Sequence, residues 1–527
     1  MKVRTWGPTA LYVILCAVLA RFYWYNIGPD ALSYLSIAGH YVRGEWSEAI
    51  NTGWSPATSW ASGFLMAVGL PDLAAIRVAT IASGILFLYA VRKVAEDFEL
   101  SPAWQLAVSY TVAIMAVSYT MVRMGADLPE AAFLLLYIRA AIRNSFGEKG
   151  TGLAAGIWGG ASYLTKGYAL YFFLGHFALA SLMHLWLRQG AARQAVIRQW
   201  AVGMLVFGVL AGPWLAAMSY KVGHLTTGTT GAWNYRLVGP NSPGYPQYYK
   251  PVPPPSEHAS SSWEQPSPEL LPAWSPLASA AELKHQIRLV VKNIQDLVTL
   301  LLYLSVLSIA GWLAFTAWGW GRGQTGTVNW LLASLTVLIY PAGYMLILVQ
   351  DRYLWSTDML LLLMGVVVVQ RASSALKPAG AVLLAGAYLL SYLLVPARQL
   401  MAQSDQSQWA KVAAQLRQQA PAASGKVAGC GGWMENMETA WALHMPFVGE
   451  TGPTADEIQI REFLNPSFRA VAPPAADPEP EVTRKLAESM AEYFLAQPGC
   501  ELLPEALGQS KPIAEAQGTR LYRLPSR

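Results

Sequence analysis

The chain has little charge and almost no cysteine. Only 13% of its 527 residues are charged and three are cysteine, whereas 54% are hydrophobic. The charged residues gather between long apolar stretches instead of being spread along amphipathic faces, which excludes an ordinary soluble protein and indicates a chain folded in a bilayer. No polybasic stripe is present, so nucleic acid is not an expected partner, whereas membrane lipids are.

Common catalytic and cofactor motifs are absent as well. The sequence contains no phosphate-binding P-loop, dinucleotide fingerprint, zinc-ligand spacing or Gly-x-Ser-x-Gly elbow. The two halves carry no matching pair of broken helices, which a transporter built from inverted repeats would show. Gly-x-x-x-Gly occurs at Gly156–Gly160, where close helix packing is the ordinary explanation. Any chemistry therefore depends on a few polar residues between the apolar segments.

Apolar segments of about 17 to 25 residues, or slightly fewer beside a tight turn, are long enough to span a bilayer and occur roughly eleven times. The first is too long for the apolar core of a signal peptide, so we expect it to be retained. The predicted fold class is an α-helical polytopic membrane protein with about 11 transmembrane helices and a small α/β extracytoplasmic C-terminal domain. The segments are Pro8–Asn26, Leu73–Val91, Ala103–Val122, Leu128–Ile142, Gly152–Leu164, Tyr168–Leu187, Trp200–Ser219, Leu297–Trp318, Val328–Val349, Tyr353–Gln370 and Ala379–Val395.

Basic residues fall in every second short connection, and the positive-inside rule makes those connections cytoplasmic. We therefore expect a protein of the cytoplasmic (inner) membrane with a cytoplasmic N-terminus. Residues 1–396 form the predicted transmembrane module, with outer loops at 27–72, which includes an amphipathic stretch, and at 220–296; residues 397–527 form the extracytoplasmic, periplasmic domain. The basic clusters are Lys2/Arg4, Arg92/Lys93, Arg139/Arg143/Lys149, Arg188/Arg193/Arg198, Arg322 and Arg371/Lys377.

The tail after Pro396 is charged and then punctuated by glycine, which predicts a helix at Gln408–Gln419 and short strands at Lys426–Cys430 and Thr519–Leu524. A Pro-rich linker is predicted at Ala472–Glu481. Cys430 and Cys500 are the two cysteines of this domain, and the sequence leaves open whether they form a disulfide or remain thiols.

The stretch Thr226–Pro276 contains no spanning segment and is rich in Gly, Pro and Ser, which is typical of a disordered loop. Interleaved aromatic residues favour a different interpretation, a lid that lies on the bilayer or over a cleft. These residues are Trp233, Tyr235, Tyr245, Tyr248, Tyr249, Trp263 and Trp274.

Ionisable residues lie at the predicted outer ends of several spans and are expected to converge on one outward cavity, because a charge at membrane depth is costly unless it is paired or functional. The alternative is that each is an interfacial anchor that reaches to water, or, for Asp30, a plain helix cap after Pro29. The residues are Asp30, Asp127, Lys166, Lys221 and Arg352.

The motifs around these residues resemble those of C-type (GT-C) integral membrane glycosyltransferases, in particular the bacterial branch of protein O-mannosyltransferases and lipid A aminoarabinose transferase. The resemblance extends over most of Met1–Arg371. The chain departs from better-known members at Ala31, where they often carry a second carboxylate. The motifs are Asp30-x-x-x-Tyr34-x-x-x-Ala38, Gly44, Trp54–Pro56, Met124–Pro129, Gly156–Gly167, Gly212–Gly223 and Asp351–Tyr353.

The resemblance implies that the chain transfers a sugar from a polyprenyl-phosphate-linked donor to an acceptor hydroxyl on the outer face, with inversion. Asp30 would be the general base, and Asp127 would assist it or orient the acceptor. Lys166, Arg352 and Lys221 would bind the donor phosphate. Tyr34, Trp54 and Tyr353 would contact the acceptor or form a lid. The acceptor is a lipid, a polysaccharide or a protein, no cofactor is demanded, and the sequence leaves a divalent metal open.

Other functions remain open at this point. The same polar groups would form a translocation site in a transporter or flippase of a lipid-linked substrate, although such a protein needs midplane groups reachable from both faces. A non-catalytic envelope assembly subunit would use its outer domain to recruit partners. Among enzymes, a lipid-phosphate transferase or an oligosaccharide ligase fits the same composition.

The predicted orientation can be tested by cysteine-accessibility labelling. Single cysteines near Ser256 and Gly425 should react from outside, and those near Gly190 and Ser374 only from the cytoplasm. Labelling at Gly425 from the cytoplasmic side alone would overturn the arrangement.

Overall fold

A computed structural model describes residues 3–248, 250–320, 326–402, 407–452, 479–500, 507 and 510–525. Of the features predicted above, Lys2, Tyr249, Arg322 and the linker Ala472–Glu481 up to position 478 lie outside the described residues.

The described part of the chain is mostly helical, and a helix occupies each predicted apolar segment. Seven helices are long and apolar enough to cross a membrane, or eight if one bent pair counts as a single span. The helices are α1 (Val3–Tyr23), α2 (Gly28–Arg43), α3 (Trp46–Ala49), α4 (Ala57–Ala67), α5 (Asp72–Asp97), α6 (Pro102–Val122), α7 (Asp127–Ile142), α8 (Thr151–Thr165), α9 (Tyr168–Trp186), α10 (Gly190–Val222), α11 (Thr230–Leu237), α12 (Ala280–Leu304), α13 (Ser308–Trp320), α14 (Trp330–Met345), α15 (Trp355–Ser374), α16 (Pro378–Ser391), α17 (Leu394–Ala402), α18 (Gln408–Gln419), α19 (Trp433–Ala442) and α20 (Glu479–Ser489).

The predicted span Leu297–Trp318 is a bent pair of helices, α12 and α13, that meet at 97°. Helix α12 begins at Ala280, inside the stretch 220–296 that the sequence assigns to a loop. One face of this helix is buried and carries residues spaced three or four apart, while the apolar side chains of Ile287 and Val291 lie on an exposed face. Ser305 leaves the helical backbone conformation and forms a hydroxyl hydrogen bond of 2.7 Å with Ser391 of α16, which holds the bend.

Close helix packing explains the Gly-x-x-x-Gly motif. A Cβ atom on Gly156 of α8 would lie 2.5 Å from the carbonyl oxygen of Gly203 in α10, so only glycine allows this approach. A second contact joins α5 to the end of α1. Arg77 of α5 is fully buried and donates hydrogen bonds to the carbonyl groups of Trp24, at 3.1 Å, and Asn26, at 3.2 Å, which lie just beyond α1.

The C-terminal domain is a small α/β unit, as predicted. Its five-stranded sheet has the order β2-β1-β3-β5-β4, in which β1 runs parallel to both β2 and β3 while β5 is antiparallel to β3 and β4. A disulfide joins Cys430 to Cys500, which resolves the alternatives left by the sequence. The strands are β1 (Val427–Cys430), β2 (Phe447–Glu450), β3 (Tyr493–Ala496), β4 (Ala514–Ala516) and β5 (Thr519–Arg523).

The loop between α10 and α12, residues 223–279, connects the helical module to this domain. It contains α11 and three short 3₁₀ turns, and its rings pack on one another. The backbone N–H of Val252 donates to the carbonyl of Val448 at 2.5 Å, and that of Phe447 donates to Ser260 at 2.8 Å, so the loop covers the β2 edge of the sheet. The loop is therefore a packed structure and not a free linker.

Two buried carboxyl groups of the C-terminal domain make its stability depend on pH. Burial raises the pKa of both Glu438 and Glu450 to about 8, from 4.5. The folded protein holds protons that the unfolded chain releases, so the free energy of unfolding falls as the pH rises from 4.5 to about 8 and then levels off.

We predict that Glu438→Gln, which imitates the protonated acid, weakens this pH dependence. The measurement is the Tm of the purified full-length protein across that pH range, with Glu515→Gln, an exposed glutamate of the same domain, as the matched control. An unchanged slope for Glu438→Gln would show that Glu438 does not take up a proton on folding.

Candidate active site

Two carboxylates stand at the beginnings of helices. Asp30 lies in the first turn of α2, directly after Pro29, and Asp127 is the first residue of α7. The N-terminus of a helix favours negative charge because its unpaired N–H groups point outward. Both positions therefore suit an ionised carboxylate.

Two cations come from breaks between helices. Lys166 ends α8 in an extended conformation before α9 begins, and Arg352 lies in the 3₁₀ turn Asp351–Leu354 that leads into α15. These turns direct the two side chains toward the same end of the helical module as the two carboxylates.

The four side chains form one continuous network. Arg352 Nη1 lies 2.6 Å from Asp30 Oδ2 and 3.4 Å from Asp127 Oδ2. Lys166 Nζ lies 2.6 Å from Asp127 Oδ1. Four of the five residues that were predicted to converge are therefore joined in the structure, and Lys221 is not among them.

The network is mostly, but not completely, buried. The four side chains keep between 12% and 23% of their surface exposed, so each charge has lost most of its water. Two carboxylates and two cations balance one another, which the low dielectric of such a position requires.

Aromatic rings surround the network. Lys166 Nζ lies 3.8 Å from the centre of the Tyr353 ring, a cation–π contact. Tyr34, one helical turn after Asp30, packs edge-on against Trp54 with ring centres 5.2 Å apart. Of the three aromatic residues predicted to bind the acceptor or form a lid, Tyr353 therefore contacts the network, Tyr34 lies one turn from Asp30, and Trp54 packs on Tyr34.

Lys221 is held by a different group from the other predicted cations. Its ammonium group donates to the carbonyl oxygen of Ile50 at 2.7 Å. Lys221 was predicted to bind the donor phosphate because it lies at the outer end of a span. The same position also suits a lysine that fastens α10 to the segment between α3 and α4.

A second ion-pair cluster joins α2 to the α10–α12 loop. His40 Nε2 lies 2.9 Å from Glu264 Oε1, and His40 Nδ1 lies 2.6 Å from Glu45, which also contacts Arg43 at 3.0 Å. Burial lowers the pKa of His40, but its two glutamate partners outweigh that effect, so the pKa is raised. Arg43 and His40 lower the pKa of Glu45 to about 2.

Sequence reasoning missed two residues at the site. Glu130, fully buried one turn after Asp127, accepts a hydrogen bond of 3.0 Å from the Tyr340 hydroxyl; a carboxylate inside an apolar helix is the signal that could have identified it. The indole Nε1 of Trp263 donates to Asp30 Oδ1 at 3.0 Å. The sequence places Trp263 among the loop aromatics, but no spacing rule connects residues this far apart.

Among the residues that the structure describes, no group of three or more His, Cys, Asp or Glu side chains is arranged to hold a metal ion. At Asp30 and Asp127, the carboxylate oxygens already contact Arg352, Lys166 and Trp263.

No protein-family model matches the chain, and no curated protein matches its sequence. Its fold is similar to that of solved structures. ArnT, the lipid A aminoarabinose transferase, from Cupriavidus metallidurans bound to undecaprenyl phosphate matches with a TM-score of 0.57 and 14% identity over 98% of each chain.

AglB, an oligosaccharyltransferase from Archaeoglobus fulgidus, is similar as well. Its complex with an inhibitory peptide and a dolichol phosphate matches with a TM-score of 0.50 and 10% identity over 94% of this chain and 69% of AglB. The complex of this oligosaccharyltransferase with zinc and sulfate matches with a TM-score of 0.55 and 12% identity over 92% of this chain and 68% of the oligosaccharyltransferase chain. The chain therefore has the fold of the C-type integral membrane glycosyltransferases, as its sequence motifs predict.

Proposed function

We propose that the chain is a membrane glycosyltransferase that moves a sugar from a polyprenyl-phosphate-linked donor to an acceptor hydroxyl on the extracytoplasmic face. The observation that carries this proposal is the joined network of Asp30, Arg352, Asp127 and Lys166 at one end of the helical module. ArnT bound to undecaprenyl phosphate and AglB bound to a dolichol phosphate share the fold and support a donor of this kind.

Lys166 and Arg352 bind the donor phosphate. Both cations are partly exposed, and a guanidinium group suits the two-pronged recognition of phosphate oxygens. As the bond between the sugar and the phosphate breaks, negative charge grows on the leaving phosphate, and these cations offset it. The function needs no resident cofactor.

Asp30 acts as the general base. Its Oδ2 is paired with Arg352, which occupies the oxygen that would take the proton. A bound phosphate competes for Arg352, so donor binding frees the oxygen that takes the acceptor proton. The acceptor oxygen bonds to the anomeric carbon from the face opposite the phosphate, the bond to the phosphate breaks, and the configuration inverts.

Asp127 keeps Lys166 in place and limits how far Arg352 can move, since it contacts both. The acceptor can be a lipid, a polysaccharide or a protein. Tyr34 and Trp54 offer ring surface near Asp30, against which an acceptor or sugar ring can pack.

A transporter or flippase of a lipid-linked substrate is the second candidate function. It would need the charged groups to be reachable from both membrane faces. In the described residues, Asp30, Asp127, Lys166 and Arg352 all lie at the end of the module that contacts the C-terminal domain, through α2 and the Trp263–Trp433 ring pair. This one-sided position favours transfer over transport.

Asp30→Asn separates chemistry from binding. The change keeps the shape of the side chain and an acceptor for Trp263 but removes the base, so single-turnover transfer should fall by about 10² to 10⁴ while undecaprenyl phosphate still binds. The measurement is transfer from undecaprenyl-phosphate-linked sugars by the purified enzyme, with Asp72→Asn, an exposed aspartate at the start of α5, as the matched control. If Asp30→Asn transferred sugar at the wild-type rate, Asp30 would be only a helix cap and not the general base.

Lys166→Ala should act on binding. Loss of a charged hydrogen bond to phosphate should weaken undecaprenyl phosphate binding by about 1.5 to 3 kcal/mol. Titration of this lipid into wild type, Lys166→Ala and the exposed control Lys284→Ala measures the effect. Equal affinities of wild type and Lys166→Ala would show that Lys166 does not bind the phosphate. Movement of the lipid across the membrane of proteoliposomes, without any sugar transfer, would favour the transporter.

A further inference from the structure

The indole of Trp263 and the guanidinium group of Arg352 both contact the Asp30 carboxylate. The indole Nε1 donates to Oδ1 at 3.0 Å, while Arg352 contacts Oδ2 at 2.6 Å. An indole N–H is a donor only and cannot titrate, so it always presents a donor to this carboxylate oxygen.

Trp263 is fixed on its backbone. It lies in the 3₁₀ turn Ser262–Glu264, its N–H donates to the Ser261 hydroxyl at 3.2 Å, and its carbonyl accepts from Trp54 Nε1 at 3.0 Å. The next residue, Glu264, pairs with His40 of α2 at 2.9 Å. The turn is therefore fastened to α2, the helix that carries Asp30, and to the segment before α4.

The Trp263 ring is fixed as well. It meets the rings of Trp54, Trp233 and Tyr245 in the helical module and loop, and that of Trp433 in the C-terminal domain, with centres 5.5 to 6.1 Å apart. Such contacts leave the indole little freedom to turn away from Asp30.

We infer that Trp263 is the positioning residue of the Asp30 base, a role that rests on the proposed function. When the donor phosphate draws Arg352 away, the carboxylate loses its strongest partner. Trp263 then keeps the carboxylate in place through Oδ1 and leaves Oδ2 free to face the acceptor hydroxyl.

The test compares two Trp→Phe variants from the same aromatic group. Trp263→Phe removes the N–H and keeps most of the ring. Trp233→Phe is the matched control, because the buried Trp233 Nε1 has no hydrogen-bond partner among the described residues. We expect single-turnover transfer by Trp263→Phe to fall about 10- to 100-fold, the loss of one hydrogen bond to a charged group, with undecaprenyl phosphate affinity kept.

The pH–rate profile separates positioning from packing. Because the Trp263 N–H contacts the base directly, the acidic limb of the profile should move in Trp263→Phe and stay in place in Trp233→Phe. Trp54→Phe removes the hydrogen bond to the Trp263 carbonyl and should shift the acidic limb in the same direction by a smaller amount. This variant serves as the test if Trp263→Phe does not fold.

Two results would overturn the inference and can be told apart. If wild type transfers sugar and the Trp263 and Trp54 variants match Trp233→Phe in rate and profile, Trp263 only packs, and the proposed function stands. If wild type transfers no sugar from any polyprenyl-phosphate donor, the proposed function fails and the role of Trp263 fails with it.

Discussion

Mutual neutralisation of four charges at helix ends is the constraint on which the site depends. Asp30 and Asp127 start α2 and α7, whereas Lys166 and Arg352 come from the turns before α9 and α15, so pairing them brings these elements together. Removing one partner of a buried pair typically costs about 3 to 5 kcal/mol, because the other charge is left without compensation. A ligand can enter only by supplying the charge it displaces, and phosphate can replace a carboxylate on Arg352.

The same constraint explains why the loop between α10 and α12 is packed. In the proposed reaction Asp30 gives up its arginine, and Trp263 is the donor that stays, in a turn fastened by Trp54 and by the His40–Glu264 pair. The loop in turn covers the β2 edge of the C-terminal sheet through Val252. The C-terminal domain therefore contributes to the site by holding the loop in place.

Local patterns in the sequence predict part of this arrangement. Apolar length locates the helices, and charge at span ends identifies Asp30, Asp127, Lys166 and Arg352, because hydropathy and charge are read within one segment. Contacts between distant segments leave no such pattern. The Trp263–Asp30 hydrogen bond, the attachment of Lys221 to Ile50 and the order of a partly parallel sheet are all set by tertiary packing. The bend after α12 is missed because Leu297–Trp318 is apolar apart from scattered Ser and Thr residues and contains no proline.

Exchange of Arg352 between Asp30 and the donor phosphate is the central claim, and a structure of the full chain with undecaprenyl phosphate tests it most directly. The predicted result has phosphate oxygens within hydrogen-bond distance of Arg352 and Lys166, Arg352 more than about 4 Å from Asp30, and Trp263 still bonded to Asp30. An unbroken Arg352–Asp30 pair with the phosphate bound away from both cations would contradict the claim.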